Sequence, residues 1–337
     1  MSKTKNKWLL VAGIGITLSF FLLAIIRIDL SKAYEAGMSG AFVWLLPITF
    51  LQIIMYYFRA IRWRYIMVSS KKTSIGNLYS AISIGLMGNM ILPFRIGEVI
   101  RAYVIAKKER LVVSEAFGTI VIERAFDMLS ALVMLVVVLT TADIKSASGE
   151  VDSSIRSYGI LFTGLIIAAF FFIHQLSRKD SLVGGIILYV MKILPGNVAS
   201  AINGPINSFR TGLQVIKSRG RLVAITFYSA IIWYINILVF KIFLYMFGLE
   251  SSMEAATTII LFVIIGVMIP SSPGFVGPFH AGVIVGLGLY GINVDSALGY
   301  AVVIHFVSFA LTVLIGLFFL WREKFTFTEI WHSADME

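Results

Sequence analysis

Residues 87–101 read MGNMILPFRIGEVIR, and the Leu92-Pro93-Phe94-Arg95-Ile96-Gly97-Glu98 run at their centre decides how the chain is threaded. Residues 75 to 106 are apolar for long enough to cross a bilayer once at a large tilt, since a crossing helix needs roughly 20 largely apolar residues. Pro93 and Gly97 interrupt that helix in its middle. Both flanks are basic, with Lys71 and Lys72 before and Lys107, Lys108 and Arg110 after. Basic residues collect on the cytoplasmic side, so both ends belong on one side and the segment is expected to be re-entrant: two half helices joined by a turn, marked by Asn89, Pro93 and Gly97. Such a break is tolerated where protein or water covers the freed backbone groups.

The composition places this segment in a membrane. Of 337 residues 58% are hydrophobic and 14% charged, and the mean hydropathy is +0.91. A soluble domain is about half apolar and a quarter charged. The net charge of +10 would raise nucleic acid as a partner, but in a membrane chain it reads as cytoplasmic topogenic charge, and nucleic acid is not expected. With no cysteine and four scattered histidines (174, 280, 305 and 332), no metal site and no cofactor are expected.

Working outward, the sequence predicts spans at about 8–28, 41–58, 114–140, 157–175, 222–247 and 296–320. Between them, 197–219 has its apolar residues at three- and four-residue steps, as an amphipathic helix on the cytoplasmic surface would. Arg59, Arg62 and Arg64, interleaved with Tyr57, Trp63 and Tyr65, read as a cytoplasmic interface belt, and both termini are expected in the cytoplasm. A second interrupted segment, about 255–290, carries IPSSPGFVGP at 269–278 between flanks bearing Glu254 and Asp295, so it should re-enter from outside. Pro270, Ser271, Ser272, Pro273, Gly274 and Gly277 form its turn, and His280 follows. The expected fold is all-α and polytopic, one membrane domain over 1–337. Its two halves, about 8–140 and 157–320, have inverted topology, each with an interrupted helical hairpin. Matching breaks in two halves point to a midplane transporter site; the alternative is that Pro and Gly merely kink spanning helices.

Ionisable residues inside spans are costly and usually functional. Arg95, Glu98 and Arg101 surround the first break, and Glu123, Arg124 and Asp127 lie in the next span. Helical spacing puts each set on one face, and the six are expected to converge. Arg95, Arg101 and Arg124 are the candidate ligands of a lipid phosphate, for which the guanidinium fork suits, with Glu98, Glu123 and Asp127 as supporting ion pairs. An ion-paired clamp between the broken helix and its neighbour is a second, compatible reading. Trp233, Tyr234 and Asn236 read as packing and interhelical hydrogen bonding.

The motifs Asn89-x3-Pro93-x-Arg95-x-Gly97-Glu98-x2-Arg101, Glu123-Arg124-x2-Asp127 and Pro270-x2-Pro273-Gly274-x2-Gly277, with Arg59-x2-Arg62-Trp63-Arg64, resemble the membrane domain of the bacterial lysylphosphatidylglycerol synthase/flippase family over about residues 8 to 322. In two-domain members that domain is thought to translocate aminoacylated phosphatidylglycerol made by a cytosolic transferase. This sequence ends soon after its last span, so lysyl transfer is not expected of it. It also carries His280 where the resemblance leads one to expect an acid.

The function expected is therefore translocation of a phosphate-bearing lipid across a bacterial or archaeal cytoplasmic membrane, by a flippase or scramblase. A phosphatidylglycerol derivative or a polyprenyl-phosphate-type lipid would fit. The rivals are a membrane-embedded enzyme using Glu98, Glu123 or Asp127 as a general base, and a non-transporting accessory partner of a lipid-pathway enzyme.

Overall fold

The computed structural model describes residues 41–67, 73–92, 95–141, 218–249, 252–268 and 273–325, with the isolated positions 164, 189 and 193. The expected span at 8–28, the loop at 143–152, the span at 157–175, most of the amphipathic helix at 197–219, and Pro93, Pro270, Ser271 and Ser272 lie outside the described residues.

Among the described residues the chain is all helical. After a 3₁₀ turn at Ala41–Trp44 come α1 (Leu45–Ile66), α2 (Ile75–Ile91), α3 (Gly97–Glu109), α4 (Val113–Thr141), α5 (Arg219–Met246), α6 (Met253–Met268), α7 (Pro278–Gly288) and α8 (Val294–Arg322), with a second 3₁₀ turn at Pro273–Phe275 between α6 and α7. Helices α5 and α8 are long and apolar enough to cross a bilayer. At about 1.5 Å per residue α4 is also long enough, but four ionisable residues, Glu115, Glu123, Arg124 and Asp127, interrupt its apolar run.

Each break separates two short helices that fold back on each other, and glycines set how closely they approach. A Cβ on Gly85 of α2 would lie 2.6 Å from Cβ of Arg101 and 2.8 Å from the Gly97 carbonyl oxygen on α3. In the second pair, a Cβ on Gly282 of α7 would lie 2.7 Å from the Phe262 carbonyl oxygen on α6. Backbones without side chains between them gain close packing where the surrounding lipid gives little hydrophobic drive. The ends of the first pair are pinned as well. Glu109 at the end of α3 accepts from the Ser74 backbone N–H at 3.1 Å and from Asn77 Nδ2 at 2.8 Å, which ties it to the start of α2. Arg110 then closes α3 in the left-handed region, with the Leu111 N–H bonded to the Ala106 carbonyl.

The packing repeats across the chain. Helix α1 packs on α2 as α5 does on α6, and α3 packs on α4 as α7 does on α8. Each first arm also reaches across, α2 to α8 and α6 to α4. Helices α1 and α5 lie against each other in opposite directions: Trp44 meets Tyr245 near one end (5.3 Å between rings) and Tyr65 meets Tyr228 near the other (5.8 Å).

One expectation is corrected here. Helix α1 does not stop at residue 58 but runs to Ile66, carrying Arg59 and Arg62 inward; Arg62 and Trp63 are fully buried, whereas Arg64 and Tyr65 on the opposite face are exposed. The basic run is therefore not one interfacial belt. Its two sides part because a helix turns residues 62 and 64 to opposite faces.

Candidate functional site

The centre of the charged site is Glu123 on α4, fully buried and held by three arginines. Arg101 of α3 grips it with both nitrogens, Nη2 to Oε2 at 2.6 Å and Nη1 to Oε1 at 3.2 Å. Arg62 of α1 donates to Oε1 at 3.1 Å and Arg124 at 2.9 Å. One turn along α4, Asp127 accepts from Arg62 Nη1 at 2.6 Å and faces Arg124 Nη2 at 3.4 Å, while Glu98 lies 3.8 Å from Arg124 Nε. Arg62 also donates to Ser229 Oγ on α5 at 3.0 Å. The Arg101 guanidinium lies 3.7 Å from the centre of the Trp63 ring, and Trp63 donates its indole N–H to Thr119 Oγ1 at 2.8 Å. Four helices thus meet in one buried network. A carboxylate buried this deeply is tolerable because each of its oxygens is met by guanidinium donors.

Of the six charged residues expected to converge, Glu98, Arg101, Glu123, Arg124 and Asp127 do. Arg95 does not. It sits in the left-handed region (φ 55°) and reaches to the second half of the chain, donating to the Val267 carbonyl at 2.8 Å, with its guanidinium 5.3 Å from the Phe275 ring centre. The physical reason is that Val267 lies in the last turn of α6, where carbonyls have no partner in the helix and the dipole is negative. Arg62 joins the cluster, as does Arg59, one turn earlier on α1 and within electrostatic reach of Asp127, Arg124, Arg62 and Glu123. The arginines of the cluster outnumber its three acids. Arg124 is the ion-paired arginine that keeps a third of its side chain exposed; Arg101 and Arg62 are committed to the acids.

The second break holds no charge of its own. Gly274, Phe275 and Gly277 have positive φ (66°, 59° and 95°), a backbone that glycine adopts at least cost. Histidines fasten it. His305, in the middle of α8, lies with Nε2 2.7 Å from the Gly274 carbonyl oxygen, so Nε2 carries the proton and donates. Its Nδ1 faces His280 Nε2 at 3.4 Å, and His280 Nδ1 accepts from the Gly277 N–H at 3.4 Å. The tautomers follow from the two ends: a carbonyl at one and an N–H at the other fix both rings in the neutral form with one direction of donation. Phe279 stacks on His305 at 4.6 Å. His280 is thus a bonded member of the turn; His305 gave no sign in a uniformly apolar stretch. Asn89 packs against Gly97 at the first break with its Oδ1 buried and without a partner, and Pro273 belongs to the 3₁₀ turn of the second. Among the described residues no group of three or more His, Asp or Glu is placed to hold a metal ion.

Comparison with known proteins agrees with a membrane setting. The family model described as the lysylphosphatidylglycerol synthase TM region matches residues 10–316. A protein of Haloferax volcanii named glycosyltransferase AglD is 23% identical over 332 residues, covering 91% of this chain and 53% of that protein, so the chain spans about half the relative's length. The UPF0104 membrane protein MJ1078 of Methanocaldococcus jannaschii is 25% identical over 236 residues, 68% of this chain and 90% of that protein. No solved structure matches.

Proposed function

The chain belongs to the family of the lysylphosphatidylglycerol synthase transmembrane region and is an integral membrane protein, and from that premise we propose that it is a lipid translocase moving a phosphate-bearing lipid between leaflets. The observation that carries this reading is the buried arginine–carboxylate network, with more arginines than acids, built where a membrane protein ordinarily avoids charge. In this reading α2–α3 and α6–α7 are re-entrant hairpins of two inverted halves, with the substrate's headgroup between them; the repeated packing of α1 to α4 and α5 to α8 supports it. Arg124 has free donors and contacts the phosphate, Arg101 holds Glu123 in place, and Arg95 ties the first break to the second. The acyl chains stay in the bilayer, so the protein needs only to shelter the headgroup from hydrocarbon.

The test is dithionite quenching of fluorescent phosphatidylglycerol in proteoliposomes. Wild type should move the probe, and Arg124→Gln should slow it about tenfold or more, as loss of a charge-assisted bond does. Equal rates for wild type, for Arg124→Gln and for the triple Arg95→Ala, Arg101→Ala, Arg124→Ala variant would sink the proposed site.

One observation favours a second reading. The Haloferax relative is named a glycosyltransferase, which brings in a membrane part serving an enzyme of lipid-linked sugar chemistry, with a polyprenyl-phosphate-type lipid as its ligand. Mass spectrometry that finds a chemically altered lipid after incubation with the protein, or a stoichiometric enzyme partner without lipid movement, would choose it over the first.

A further inference from the structure

Among the described residues, the buried side-chain polar atoms that lack a hydrogen-bond partner are unevenly split by type. Asn89 Oδ1 is an acceptor; Nε of Arg59, Arg62, Arg101 and Arg124 and Nε1 of Trp233 are all donors. A buried donor without an acceptor costs about 1–3 kcal/mol, so several gathered around one charged network call for a group that supplies acceptors. Arg62 and Arg101 have both terminal nitrogens on the acids, whereas Arg124 places Nη2 on them. Arg59 Nε and Trp233 Nε1 have no hydrogen-bond partner among the described residues.

The two lie at the same level of the fold. Helices α1 and α5 run in opposite directions, and Arg62 bonds to Ser229 across them. Arg59 is three residues before Arg62 and Trp233 four after Ser229, so both keep the bonded faces and both step one turn toward the end where Trp44 meets Tyr245. That step brings each nearer the middle of its helix. Helix register thus sets a cation and an indole N–H, both donor-only, one turn beyond the Arg62–Ser229 bond on facing helices, and Arg59 is within electrostatic reach of Arg124. The outer faces of α1 and α5 expose Phe50, Tyr57, Phe227 and Tyr234, a surface that acyl chains cover.

We propose that Arg59 and Trp233, with Arg124, form the seat of a single oxyanion, the monoanionic phosphodiester of a lipid headgroup. A tetrahedral phosphate offers acceptor oxygens to all three side chains at once, and its negative charge suits a cluster in which arginines outnumber acids. The seat deepens the translocase reading and rests on it for the lipid. It also gives Trp233 a role as a headgroup donor, where helix packing alone would leave its N–H unpaired.

The experiment uses the full chain in nanodiscs of neutral lipid, with dioctanoyl phosphatidylglycerol, inorganic phosphate and dioctanoylglycerol as probes, and the variants Arg59→Gln and Trp233→Phe. Wild type should bind the phospholipid and not dioctanoylglycerol, and each variant should weaken that binding by about tenfold or more. Melting temperatures without ligand should change little, because neither Arg59 Nε nor Trp233 Nε1 has a hydrogen-bond partner among the described residues. Inorganic phosphate bound as tightly as the phospholipid, with the same loss in both variants, keeps the oxyanion seat but replaces the lipid by a free anion, overturning the lipid half of the proposal. Equal binding of phosphatidylglycerol and dioctanoylglycerol, or variants that melt lower yet bind as wild type does, overturns the seat itself. The two readings fail separately: a wild type that moves lipid while both variants bind and move it normally removes the seat alone. Normal variant-sensitive binding without lipid movement removes the translocase alone.

Discussion

The two breaks solve one problem, a helix interrupted inside a membrane protein, with opposite chemistry. The first is followed at once by charge, Glu98 and Arg101 on α3, which dock into the Glu123 network on α4. The second is neutral, with two left-handed glycines and a pair of histidines that satisfy one carbonyl and one N–H of the turn. Both hairpins share the same glycine-mediated contact between arms. What differs among the described residues is the reserve of unused side-chain donors, which gathers around the first region's network. The proposed function puts a charged ligand beside the first break, while the second is suited to hold a fixed backbone shape against α8.

The comparison breaks most sharply at Glu123. Glu123→Gln keeps the volume but removes the charge that three arginines share, and turns an amide N–H toward one of them. The expected loss is about 3–5 kcal/mol, the range for leaving buried charge uncompensated, read as a fall in melting temperature and loss of the monodisperse species. Adding Arg101→Met to that variant should recover part of the loss, since removing both partners costs less than removing one. A Glu123→Gln protein as stable as wild type would mean that the network is not the anchor of the first hairpin.

Next in size is the contact that the hairpins share. Gly85→Val and Gly282→Val each push a side chain against backbone of the facing arm, with a Cβ alone reaching 2.8 Å and 2.7 Å from a carbonyl oxygen. Each should cost about 1–3 kcal/mol, as overpacking does. Similar losses in the two variants would sharpen the view that the hairpins are equivalent in packing and different only in charge; a loss in one alone would break it.

These regions were not equally legible in the sequence. Helices α5 and α8 follow from hydropathy, and both breaks from Pro and Gly in apolar surroundings. Five of the six expected charges meet because i, i+3 and i, i+4 spacing fixes a helix face. Arg62 was hidden by its neighbours, since an Arg–Trp–Arg–Tyr run reads the same at an interface and at a buried seam until the partner helix is known. The bond of Arg95 was not legible, because its side chain answers the open end of α6, 172 residues away in sequence. His305 carries no local signal; only the fold puts it beside His280.

On the neutral side, His305→Phe tests the histidine pair. Phe keeps the aromatic volume beside Phe279 but removes the bonds that His305 makes to the Gly274 carbonyl and to His280 Nε2. The expected cost is about 1–3 kcal/mol, with hydrogen exchange rising at residues 274–277 and not at 97–101. Equal exchange at both sites would show that the two turns are held as one unit.

The smallest effect belongs to Arg95, the side chain that joins the two regions. Arg95→Met retains the apolar stem over Phe275 and removes the donation to the Val267 carbonyl. Losing one bond to a helix end should cost about 1 kcal/mol, measured as a small shift in melting temperature. Because Arg95 makes its hydrogen bond to Val267 and not to Glu123, its loss and that of Glu123 should add in the double variant. Additivity would mean that the breaks are anchored independently, each to its own long helix. A double variant that departs from the sum by 1 kcal/mol or more would mean that Arg95 transmits strain between them, and the contrast between a charged region and a neutral one would then describe two ends of a single device.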